Sequence, residues 1–260
     1  MMTVIDSNAR IPIICAVEST IASAEFFNPN FWSGASKGIA QSCLVEYSVL
    51  CHCVQQLTGM CIDPERHCQE HIEVIKQQWR TKKFDIGKVI IYSEQPDLHM
   101  RIEAFFSGIK TLLDLLVQML SSEKIVGADV NGFHRSQLNI YGGKVLEVLK
   151  NNVISGRREV ATKLLGLILE HKERWIDRAI MARDHLIHPQ KGMQQLMFQI
   201  ELVEHANSLV CVTVRPPEID SEPIHQYAQK TLKQAQDFSS SFLCLLPNVS
   251  GSGSGVAPPI

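Results

Sequence analysis

The residues best equipped for chemistry stand together in one short run, Ala182-Arg183-Asp184-His185-Leu186-Ile187-His188-Pro189. A histidine moves protons near neutral pH, and an arginine offers a planar fork to an oxyanion. On a continuous helix, at about 100° per residue, Asp184 and His188 lie about 40° apart and share a face. Asp184 can therefore orient the His188 imidazole and hold its tautomer. Arg183 and His188 lie about 140° apart. To serve one phosphate together they need the helix to open at Pro189, or a second chain. The same residues also suit a structural end. Arginine and histidine near the last carbonyls of a helix stabilise its dipole, and Asp184 with His188 forms a satisfied ion pair.

A second concentration of reactive types runs through Cys51-His52-Cys53, Cys61, His67-Cys68 and His71. His67 and His71 have the i, i+4 spacing of metal ligands on a helix. Cys51 and Cys53, however, point about 160° apart on a helix, and no C-x₂-C pair is present. The stretch reads as buried thiols and surface histidines, with no metal and no cofactor. Gly142-Gly143-Lys144 lacks the rest of a phosphate loop, and no G-x-S-x-G elbow is present.

The run Arg183-Asp184-x-x-x-His188, with Pro189 after it at the end of a long helix, resembles the HEPN family of helical-bundle proteins. The preceding helix, His99-Met-Arg101-Ile-Glu103-Ala-Phe-Phe leading into Leu-rich turns, matches as well. The resemblance covers roughly residues 93–246. It implies metal-independent cleavage of single-stranded RNA, as in toxin–antitoxin or defence systems. His188 would move protons between the ribose 2′-OH and the leaving oxygen. Arg183 would stabilise charge growing on the phosphoryl oxygens. Lys172, Arg174 and Arg178, in the preceding turns, would bind the RNA backbone. The implied partners are RNA, a protein antitoxin and a second copy of the chain, placing two motifs around one cleft near the end of the 157–187 helix. Some members keep the fold without cleaving, as interaction or nucleotide-binding modules. Members modified on a tyrosine two residues after the histidine have Tyr where this chain has Gln190, so that modification is not carried over.

The elements that must position these residues read as mainly helical. Residues 35–58 form a mixed apolar helix. Asp63-Pro64-Glu65 opens another that runs to about Arg80. Beyond Ser93–Asp97, Ile102, Phe105, Phe106, Ile109, Leu112, Leu113, Leu116 and Leu120 recur at offsets of three and four, so one face is core. Residues 126–143 carry Gly127, Asn131-Gly132 and Gly142-Gly143 and read as a loop. A short helix covers Lys144 to Asn151. A long one runs from about Arg157 to Ile187, with Leu164, Ile168, His171, Trp175, Ala179, Ala182 and Leu186 as its stripe and Pro189 as its stop. The period then falls to two at Phe198, Ile200, Leu202 and at Val210, Val212, Val214, predicting a β-hairpin. Asp220-Ser221-Glu222-Pro223 reads as the start of a last helix reaching Leu246.

The expected architecture is a mainly α bundle with one inserted β-hairpin near 196–215. The expected domains are an N-terminal helical region over 1–92, the HEPN-like bundle over 93–247 and a disordered tail over 248–260, where Gly and Ser alternate. With 260 residues, 45 % of them hydrophobic, the chain can bury a substantial core. Its 25 basic and 27 acidic residues exclude a wholesale basic coat for duplex DNA. Eight cysteines are too dilute for a disulfide scaffold. Charges at Asp114 and Glu18 break the nearest candidates for a membrane span and a signal peptide. A cytoplasmic protein without membrane partners is therefore expected.

Overall fold

The computed structural model describes residues 28–32, 34–82, 87–135, 140–187, 196–206 and 208–246. The fold is a largely α-helical bundle carrying small antiparallel β-hairpins. In chain order come α1 (Gly34–Ile62), α2 (Pro64–Lys82), β1 (Lys88–Ser93), α3 (Pro96–Ser122) and α4 (Gly143–Asn151). They are followed by α5 (Arg158–His171), a π-helical turn (Lys172–Ile176), α6 (Asp177–Ile187), β2 (Phe198–His205) and β3 (Ser208–Arg215). The two-residue strands β4 (Glu218–Ile219) and β5 (Glu222–Pro223) lead into α7 (Ile224–Leu245). The expected stop at Pro189 and the 248–260 tail lie outside the described residues.

The described residues form two compact units, one drawn from residues 28–51, 107–181 and 233–246, the other from residues 52–106 and 182–232. In the first, the stripe expected on α3 is buried at Leu112, Leu113, Leu116 and Leu120. Gly108 lets α3 approach α1 closely: a Cβ there would stand 2.7 Å from Glu46 Oε1 and 2.9 Å from Leu50 Cδ2. Leu164, Ile168, His171 and Trp175 are buried as expected, with Phe238 of α7 against the rings of His171 and Trp175. By length and composition α3 could cross a membrane. Within its unit, though, it carries Asp114 paired to Lys110.

Three features depart from the sequence reading. The long 157–187 helix contains a π turn, where Asp177 N–H bonds to Lys172 O, five residues back. The expected hairpin is part of a three-stranded sheet in the second unit: β1, unanticipated, pairs antiparallel with β2 from Lys88↔Val203 to Ser93↔Phe198. Its Lys88-Val-Ile-Ile-Tyr-Ser run is the β-branched and aromatic signature of a strand. Finally, Asp220 and Ser221 have φ of 52° and 64°. Two successive positive φ values make the turn of a two-residue hairpin, not a helix cap, so α7 starts only at Ile224.

The sheet's inner face carries buried Phe198, Ile200 and Leu202, and α2 packs across β3 and β2 with Cys68 and Ile72 buried. A register shift between Glu201 and Leu202 leaves Val212 as the extra residue of a bulge. Val210 and Val212 consequently face outward, 44 % and 58 % exposed.

Candidate functional site

The last turns of α6 deliver Arg183 and Asp184. Asp184 is buried, and its Oδ1 accepts from Arg183 Nη1 at 3.1 Å. The Arg183 side chain is 29 % exposed. Its Nε is buried and has no hydrogen-bond partner among the described residues. Neighbours in sequence cannot share a helix face, so the contact is made by the long arginine side chain folding back over the shorter aspartate. The guanidinium is therefore fixed at one nitrogen and holds a donor unspent. His188 lies outside the described residues, as do Pro189 and Gln190. The expected Asp184–His188 contact and the angle between Arg183 and His188 lie outside them too. What the described residues add is a task for Asp184 that the sequence did not suggest: it positions Arg183.

The cations expected to bind RNA separate into two kinds. Arg174 and Arg178 are exposed, four residues apart and on one face. Lys172 is only half-buried but is tied to Asp177 Oδ2 at 2.5 Å. The π turn makes this pair. Five residues fall about 140° apart in an α-helix, whereas the wider turn brings them onto one side. Glu103, near the start of α3, is exposed.

Beside the motif, His185 lines a cavity of about 20 Å³ with Ala182, Leu186, Leu196 and Ile219. This has room for one water and not for a base. A larger cleft, about 360 Å³, lies along α2 between Asp63 and Lys76 and holds Glu65, Arg66 and Glu73. Its charges are mixed, and Lys76 bonds Glu73 at 2.8 Å, holding that carboxyl below its usual range.

One polar cluster went unread in the sequence. Asp114 accepts from Lys110 and from Phe133 N–H. A Cβ on Gly132 would stand 2.8 Å from both Asp114 Oδ1 and His134 Nε2. Asn131-Gly132 was the visible signal, but only as a turn. With Gln118 donating to Asn131 O at 2.9 Å, the cluster fastens the glycine-bearing loop to α3.

In the Cys/His stretch Cys51, Cys53, Cys61 and Cys68 are buried and none is in a disulfide among the described residues. Burial pushes Cys61 up to about 12 and Cys51 to about 11, so neither is a nucleophile near neutral pH. Among the described residues no three of His, Cys, Asp and Glu converge on a metal position. No family model, curated protein or solved structure matches this chain.

Proposed function

We propose that the chain is a HEPN-like, metal-independent endoribonuclease for single-stranded RNA, with Arg183, Asp184 and His188 as its working residues. The observation that carries this reading is the state of Arg183: held by Asp184, partly exposed, with a buried Nε that has no partner among the described residues. A buried N–H without an acceptor is costly. A phosphoryl oxygen supplies the missing acceptor, and charge growing on it strengthens the bond. The helix C-terminus repels anions, so the arginine must provide the attraction. His188 takes the proton from the 2′-OH, the 2′ oxygen attacks phosphorus as the bond from phosphorus to the 5′ oxygen breaks, and His188 returns the proton to that leaving oxygen. The products are a 2′,3′-cyclic phosphate and a 5′-hydroxyl. Arg174 and Arg178, exposed on the same helix, steer the backbone. In this reading the partners are a second copy of the chain and a protein antitoxin.

A second reading, a non-catalytic interaction or nucleotide-binding module on the same fold, draws on the burial of Asp184 and its offset of the Arg183 charge. One experiment separates the two. Purified protein is incubated with mixed RNA in EDTA, beside His188→Ala and Arg183→Ala. Cleavage is expected in EDTA with cyclic phosphate ends, DNA surviving, and each alanine variant slower by about 10²- to 10⁴-fold with unchanged melting. No cleavage by the parent, or cleavage indifferent to His188→Ala, overturns the ribonuclease reading.

A further inference from the structure

Among the described residues, the sheet order β1-β2-β3 leaves β1 at one edge and β3 at the other. An edge strand carries unpaired N–H and C=O groups, and natural edges are blunted by bulges, prolines or charges. β3 is blunted by its bulge at Val212. β1 is not: its register against β2 is unbroken over six residues, it has no proline, and its one charge is Lys88 at the start. Its outward residues are Lys88, Ile90 and Tyr92, the last two 45 % and 61 % exposed.

We propose that β1 pairs antiparallel with β1 of a second copy of this chain, joining the two sheets into one of six strands. In an antiparallel pair, opposed residues lie on the same face. Pairing about a two-fold axis through Ile90 sets Ile90 against the partner's Ile90, Val89 against the partner's Ile91, and Lys88 against the partner's Tyr92. The last contact places the Lys88 ammonium, which is paired with Glu201 of its own sheet at 2.8 Å and whose side chain is still 55 % exposed, beside an aromatic ring, a favourable cation–π contact, and it occurs twice. No like charges meet. Centring the pair one residue later, on Ile91, sets Lys88 against the partner's Glu94, which lies beyond the end of β1 at Ser93, and loses the contact of Lys88 with Tyr92. β1 is thus complementary to itself about Ile90, with all of its opposed residues inside the strand. One strand pair and its side chains bury less than the about 1,200–2,000 Å² of a standard interface, so association in the micromolar range is expected. The ribonuclease reading also calls for a second copy, near the end of the 157–187 helix; substitutions confined to the β1 edge distinguish this interface from that one, and no cleavage is needed to read it.

Sedimentation equilibrium from about 1 to 100 μM tests it on the full chain. The parent is expected to dimerise. Ile90→Glu and Ile90→Lys, which each oppose like charges across the axis, should be monomeric with unchanged circular dichroism. Their equimolar mixture should recover the dimer, because glutamate then faces lysine, an outcome that general damage cannot produce. Should a charge at position 90 unfold the chain, Tyr92→Lys should weaken the dimer by about three- to tenfold and Tyr92→Glu should tighten it by a similar factor. A monomeric parent, dimers persisting in both position-90 variants, a mixture that stays monomeric, or position-92 variants that shift together overturns the proposal.

Discussion

His171 sits 6 % exposed, taking the Trp175 indole N–H on its Nδ1 at 3.0 Å with the Phe238 ring beside it. When neutral its proton therefore belongs on Nε2. Burial is the largest influence on its titration and holds it below its ordinary value; Arg174 pushes the same way, while Glu170 and Asp237 oppose. The sign of the consequence follows. The folded state resists protonation, so the unfolded chain binds more protons below the unfolded value of 6.5, and stability drops as pH falls through that region. His171→Gln keeps an acceptor for Trp175 and removes the titration. It should flatten the loss of stability between pH 7 and 5, by at most about 1.4 kcal/mol per pH unit, in urea melts across that range. His225, also depressed by burial, keeps its own share. A pH slope identical to the parent's would show that His171 does not titrate as its surroundings require. Both His171 and His188 were singled out from spacing alone. The apolar stripe settled the first as core, whereas nothing in the spacing could reveal that Asp184 grips Arg183, because a pair of adjacent residues has no helical period.

At the scale of elements, Gly142 and Gly156 offer a controlled comparison. Both have positive φ, 64° and 80°. A Cβ at Gly156 meets open space, but one at Gly142 would stand 2.3 Å from the Phe133 ring. Gly156→Ala should cost only the left-handed strain, about 1–2 kcal/mol. Gly142→Ala should cost clearly more, since the buried ring must also move. Thermal melts should resolve the difference at about 2–4 °C per kcal/mol; equal losses would mean that Phe133 does not pin this turn. The helices themselves were legible because three- and four-residue offsets persist for many turns, as from Ile102 to Leu120. Short elements lack that redundancy. β1 spans six residues and follows no strong turn signal. The Asp220-Ser221 turn uses residue types that equally suit a helix cap. The π turn is a one-residue change of register that leaves the stripe from Leu164 to Trp175 looking α-helical. Its sign was there, in a lysine and an aspartate five apart, but only the wider turn makes those two neighbours.

For the whole molecule, a formal net charge of −2 means that RNA cannot be held by a diffuse positive surface. Attraction must come from a few placed cations. Lys172 is committed to Asp177, which leaves Arg174, Arg178 and Arg183 as the phosphate contacts of the proposed ribonuclease. Three contacts on a single strand correspond to a slope of log K against log salt of about −2. Binding of a fluorescent oligouridylate to the His188→Ala variant, which should bind without cleaving, measures this directly by anisotropy from about 50 to 300 mM salt. Replacing Arg174 and Arg178 together by alanine should reduce the slope to about −0.7 and weaken binding without regard to sequence, since such contacts carry no base information. Arg183→Ala alone should change the slope by one contact's worth, about 0.7, yet it should remove most of the rate. Binding and cleavage would then separate by residue, with Arg174 and Arg178 contributing to the salt dependence and Arg183 to the rate. A slope near zero would leave the arginines no electrostatic task and favour the non-catalytic module; a slope steeper than about −5 would require cations beyond these three.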